Sequence, residues 1–155
     1  MNSLVQRVQT LIRQNITDSD SQPPSQSKLQ ILDDYSRQIE EYLNVIEDMT
    51  KALGKSVRRL RRRQRHFEAL IEEADANIQQ FNREGQEKLA RAAAERKAVM
   101  SEAARAFRAE ADSQNARLLE YMDVKLQLEA RLTEVNLERA RLEARLTRGA
   151  QLQPT

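Results

Sequence analysis

Histidine, paired carboxylates, glycine and arginine are the residues through which this chain could do chemistry, and their spacing decides most of the question. His66 is the only histidine and there is no cysteine in the 155 residues. Zinc sites built on HExxH, paired histidines or thiolates therefore cannot be assembled. The absence of cysteine fits a reducing compartment. Gly54, Gly85 and Gly149 lie too far apart for a phosphate loop or a dinucleotide fingerprint. Acidic pairs such as Glu40-Glu41 and Glu72-Glu73 occur in a chain that is 32% charged. At that density on a helix, carboxylates serve as solvated face and as i,i+4 partners of arginine. The inventory predicts no catalytic residue, no metal ligand and no cofactor, and so a protein that is not an enzyme.

One cluster is left over. Arg58, Arg59, Arg61, Arg62, Arg63 and Arg65 fall within nine residues ending at His66, and on a helix they leave only Leu60 clear of charge. Formal net charge is +2, so basic charge matters only where it is gathered like this. The run reads as a solvated face, as an assembly surface, or as a lipid contact. In the second case its partners would be Asp33, Asp34, Glu40, Glu41, Glu47 and Asp48 of a staggered neighbouring copy. Nucleic acid is an unlike partner. Phosphate binding would fall steeply with salt, and the one nearby aromatic ring, Phe67, is needed elsewhere.

That need comes from the helix that carries the run. Leu32, Ile39, Ile46, Leu53, Leu60, Phe67, Ala74 and Phe81 recur every seventh residue. Tyr35, Tyr42 and Met49, then Val57, Ile71 and Ile78, supply the companion line. Sevens of this kind predict an α-helix whose apolar stripe faces a partner helix, roughly 75 Å long at about 1.5 Å per residue. Gly54 sits inside it at a cost of ~1 kcal/mol relative to Ala and marks a place for a local bend. Gly85 predicts a left-handed stop, and the short connection makes the next helix antiparallel. The second helix repeats the pattern with Met100, Phe107, Gln114, Tyr121, Leu128, Val135 and Leu142, beside Ala104, Ala111, Leu118, Lys125, Leu132, Arg139 and Leu146. Gln114, Lys125 and Arg139 interrupt the seam, either to fix register or to face another subunit. Folding about the turn pairs residues whose numbers sum to roughly 169. That places Phe67 near Glu102 and sets Glu110 alone against the arginines. So thin a hairpin is expected to be completed by other copies of itself.

Ahead of it, residues 3–16 predict a short separate helix within an N-terminal segment 1–17. Leu4, Val5, Val8, Leu11, Ile12 and Ile16 share one face, Arg7 and Arg13 lie on the other, and no acid occurs before Asp18. This is the pattern of a helix lying in a membrane interface, where each arginine near an anionic leaflet contributes about 1 kcal/mol. The competing reading is a helix folded back on the protein's own core. Residues 18–27 form a linker in which Pro23 and Pro24 cannot continue a helix and Ser25 or Ser27 can cap the next one. The hairpin is expected at 28–148, with helices 28–82 and 86–148 and a frayed tail at 149–155. No apolar run approaches the ~20 residues of a membrane span, and the polar residues among the first fourteen argue against a signal peptide. The fold class is all-α: an N-terminal amphipathic helix and a long antiparallel two-helix coiled-coil hairpin.

At the turn, Gly85, Glu87, Leu89, Ala90, Arg91, Ala93, Arg96 and Lys97 follow the pattern G-x-E-x-L-A-R-x-A-x-x-R-K. With the short amphipathic helix and the Pro-bearing linker, this layout resembles the phage shock protein A family. That family includes the vesicle-inducing protein of plastids and belongs with the ESCRT-III membrane remodellers. The resemblance spans residues 1–148. It implies a membrane stress-response protein on the inner face of a bacterial plasma membrane, or an organellar equivalent. There it would bind anionic lipid through its first helix and assemble as a homo-oligomer. The segment before the hairpin, Ser21-Gln22-Pro23-Pro24, departs from the family's acidic one. The family continues with later helices that clasp neighbouring subunits and this sequence does not, so polymer formation is expected to be weaker, to use a partner such as a related longer family member, or to follow another contact pattern. The alternative is a soluble coiled-coil interaction module that forms a discrete oligomer and ignores lipid.

Overall fold

Amphipathic stretches this long must pair to hide their apolar stripes, and the pairing sets the architecture. The computed structural model describes residues 3–14 and 25–152, with side chains described over 3–14 and 27–149. Three helices follow in order: α1 Leu4–Arg13, α2 Ser25–Arg83 and α3 Glu87–Leu152. The described residues contain no strand. The protein is all-α, a short helix with two long helices packed as an antiparallel hairpin.

The turn follows from local chemistry. Gly85 has φ +71°, a left-handed value that costs other residues about 1–2 kcal/mol. The Gln86 N–H donates to Phe81 O at 2.8 Å and the Gly85 N–H to Asn82 O at 3.2 Å. Together they make the Schellman pair that satisfies the last carbonyls of α2. Glu87 in the first turn of α3 complements that helix's positive end. Gly54 does not interrupt α2. Ser27 lies inside α2 and Ser25 is its first residue, while α3 continues through Gly149 to Leu152, past the expected start of a frayed tail.

The chain divides into two compact units, Met1–Thr50 with Glu120–Thr155, and Lys51–Leu119. The first is a three-helix unit. Among the described residues its buried apolar ones are Val5, Val8 and Leu11 of α1, Leu32, Tyr35, Ile39 and Ile46 of α2, and Tyr121, Val124, Leu128, Val135 and Leu142 of α3. The second is a two-helix unit around the turn. There the buried residues are Ala74, Ala90, Ala104 and Ala111. Its larger seam residues, among them Leu53, Leu60, Phe67, Ile71, Ile78, Met100 and Phe107, are half-buried. The contrast is geometric. A seam between two cylinders is open along both flanks and encloses only a methyl group, whereas a third helix closes one flank.

Every seam position named from the periodicity is buried or half-buried, but the pairing register differs from the one expected. Phe67 stacks on Phe107, with ring centroids 5.6 Å apart, not near Glu102. Arg139 pairs with Asp33 at 2.7 Å and Lys97 with Asp75 at 2.6 Å. The facing residue thus lies three to five positions further along in these pairs, while Arg96 and Glu73, 3.9 Å apart, keep the expected spacing. Side chains lean toward the N-terminus of their own helix, so a contact joins residues about one place C-terminal to their level on both helices, which accounts for about two of those positions. A count made from the turn alone omits that lean.

Candidate functional site

α1 is built by its first residues. Ser3 Oγ accepts the Gln6 N–H at 3.2 Å and Gln6 Oε1 accepts the Ser3 N–H at 3.1 Å, a reciprocal capping box. The Ser-x-x-Gln spacing signals it in the sequence, independently of the apolar periodicity. Ten residues then present an apolar face. Val8 is 0% exposed, Val5 and Leu11 are buried, Leu4 and Ile12 are half-buried, and Arg7 and Arg13 are exposed. Ile16, expected on the same face, lies outside the described residues. The face expected to be free for lipid is therefore covered in this structure. Fully burying a valine or leucine contributes about 1.5–3 kcal/mol relative to exposure, so three such residues make a thin attachment.

Polar groups reinforce it at one end. The Tyr35 hydroxyl donates to Leu11 O and accepts from Arg131 Nε at 3.1 Å. Arg131 Nη2 donates to Gln14 O at 2.8 Å and Nη1 to Glu134 Oε2 at 2.8 Å. The guanidinium also lies over the Tyr35 ring, 5.5 Å from its centroid. Helix ends leave carbonyls short of intrahelical donors; Tyr35 adds a second donor to Leu11 O, which also accepts the Gln14 N–H at 3.2 Å, and Arg131 supplies one to Gln14 O. Burial lowers the Arg131 pKa, but the hydrogen bonds to Tyr35 and Glu134 outweigh it and the net shift is upward. Arg131 was not singled out from the sequence, because it sits one place before the seam residue Leu132. The spacing puts Tyr35 in the seam, and the signal for more is that a buried tyrosine hydroxyl needs a partner. On the far flank an open cleft of about 530 Å³ runs between α1 and α2, lined by Arg7, Thr10, Leu11 and Gln14 facing Gln38, Glu41, Tyr42 and Val45.

The arginine run lies in the two-helix unit. Arg58, Arg59, Arg62, Arg63 and Arg65 are exposed and Arg61 is half-buried. Arg61 pairs with Asp112 at 2.6 Å and donates to Gln64 at 3.0 Å. Arg63 lies 5.7 Å from the Phe107 ring centroid. This corrects the expectation that the hairpin offers only Glu110. The register brings Asp112 into reach, while Glu110 takes Gln114 at 3.0 Å. Among the described residues Arg61 is the one member of the run paired with a carboxylate. Lys51–Leu119 carries sixteen Lys and Arg against ten Asp and Glu, and the rest of the chain ten against fourteen.

The interruptions of the α3 seam have local uses. Arg139 crosses to Asp33, and Lys125 lies 3.9 Å from Glu129 one turn on. Near the turn, Arg96 reaches Glu73 at 3.9 Å, beside the Lys97–Asp75 pair. His66 is exposed and sits edge-on to Phe67 at 5.5 Å. Among the described residues no group of three His, Cys, Asp or Glu is placed to hold a metal ion. No helix among them is long and apolar enough to cross a membrane. No family model, curated protein or solved structure matches the chain.

Proposed function

We propose that this protein is a self-associating scaffold of the membrane surface that binds anionic lipid through α1. The observation that carries the reading is the asymmetry of α1. One face holds Leu4, Val5, Val8, Leu11 and Ile12, the other holds Arg7 and Arg13, and residues 3–14 contain no acid. An apolar face below a cationic one matches the boundary between acyl chains and anionic headgroups. A single such helix binds weakly, and many presented together bind strongly. Self-association is supported by the open flanks of the two-helix unit and by exposed apolar residues on α3, with Leu126 at 65% and Val99 at 63%. The resemblance to the phage shock protein A family belongs to this reading.

The test is co-sedimentation with vesicles of phosphatidylglycerol and phosphatidylcholine, against phosphatidylcholine alone. Wild type is expected to pellet with the anionic vesicles only, and a Val8→Glu, Ile12→Glu double variant with neither. Equal pelleting of both proteins would remove α1 as the lipid-binding element. The burial of Val5, Val8 and Leu11 favours a second reading, in which α1 is a permanent part of a helical interaction module. That reading expects a discrete oligomer by light scattering, unchanged by lipid.

A further inference from the structure

We infer that α1 is stored rather than fixed: Arg131 and Tyr35 latch it to the three-helix unit, and the latched and lipid-bound states exclude one another. The inference rests on the membrane reading of α1 and adds its regulation. Three observations carry it. The side chains that lipid would bury, Val5, Val8 and Leu11, are the ones already buried in the protein, so one face cannot serve both at once. The polar hold is concentrated at the C-terminal end of α1, where Tyr35 reaches Leu11 O and Arg131 reaches Gln14 O. The other flank of α1 is left as an open cleft with Val45 46% exposed, so the docked helix is only partly enclosed. A guanidinium stays charged across the working pH range, so the latch is not a pH switch. It opens by competition. A lipid surface that binds only released α1 draws the equilibrium toward release, and the apparent affinity falls by the fraction that is latched.

The experiment pairs a released form with a locked one. In Arg131→Gln, Tyr35→Phe the hydroxyl donor to Leu11 is removed and the donor to Gln14 weakened, while the buried ring is kept. Hydrogen exchange of the amides in 4–13 is expected to rise at least tenfold, with α2 and α3 unchanged. Binding to phosphatidylglycerol-containing vesicles is expected to strengthen about tenfold over wild type. The chain has no native cysteine, so Thr10→Cys, Val45→Cys across the cleft can be joined by a short reducible thiol cross-linker. The joined form is expected to lose vesicle binding and to regain it on reduction. Unchanged exchange in the released form, or vesicle binding undiminished in the joined form, would overturn the latch. Faster exchange with no vesicle binding by any form would overturn the membrane reading, and the inference with it.

Discussion

At the scale of single residues, three glycines of one chain carry three different meanings. Gly85 holds a left-handed φ of +71°, and Gly85→Ala is expected to cost about 1–2 kcal/mol, read as a lowered midpoint in denaturant with helix content retained. Gly54 lies in continuous helix, where an added Cβ would sit 3.5 Å from Arg58 Nη1, ordinary contact. Gly54→Ala is therefore expected to stabilise by up to ~1 kcal/mol, and a fall in the midpoint would show that α2 needs its glycine there. Gly149 has open space around it and carries no argument. The sequence marked Gly85 as a stop because a glycine between two apolar repeats has few other uses. It could not say whether the helix would run on through Gly54, because the same residue serves a break and a continuous helix. Arg131 was not legible at all. Its partners Tyr35 and Gln14 lie about a hundred residues away, and no local spacing encodes them.

At the scale of elements, the sevens announced α2, α3 and their seam almost residue for residue. The seam pattern fixes which face of a long helix is apolar. It does not fix how deeply that face is buried, which depends on whether two helices or three surround it. Hence Leu60 and Phe67 are half-buried while Leu32 and Ile39 are enclosed. For α1 the pattern says that one face must leave water, not whether lipid or protein receives it. Its helix should depend on its cap. Ser3→Ala is expected to cost about 1 kcal/mol of local stability, seen as faster amide exchange in 4–13 with α2 and α3 unaffected. Exchange unchanged by the substitution would mean that packing alone holds α1 helical.

At the scale of the whole molecule, charge is the property that points outward. The basic surplus of Lys51–Leu119 and the acidic surplus of the remaining sequence suit association between copies. Reversing Arg58, Arg59, Arg62 and Arg65 to Glu spares the Arg61–Asp112 pair and is expected to shift light scattering toward smaller species. Mixing that variant with one carrying Lys at Asp34, Glu40, Glu41 and Asp48 is expected to restore the larger ones. Failure of the mixture to associate would remove this pairing of surfaces. Association through exposed charge should also weaken as salt rises from 0.05 M toward 1 M, where screening shortens to about 3 Å. The central claim, that α1 enters anionic lipid, is tested most directly by an environment-sensitive fluorophore on Ile12→Cys. With phosphatidylglycerol-containing vesicles its emission should shift to the blue and be quenched by lipid-borne quenchers, and with phosphatidylcholine alone it should do neither. An emission spectrum indifferent to both vesicles would contradict the account.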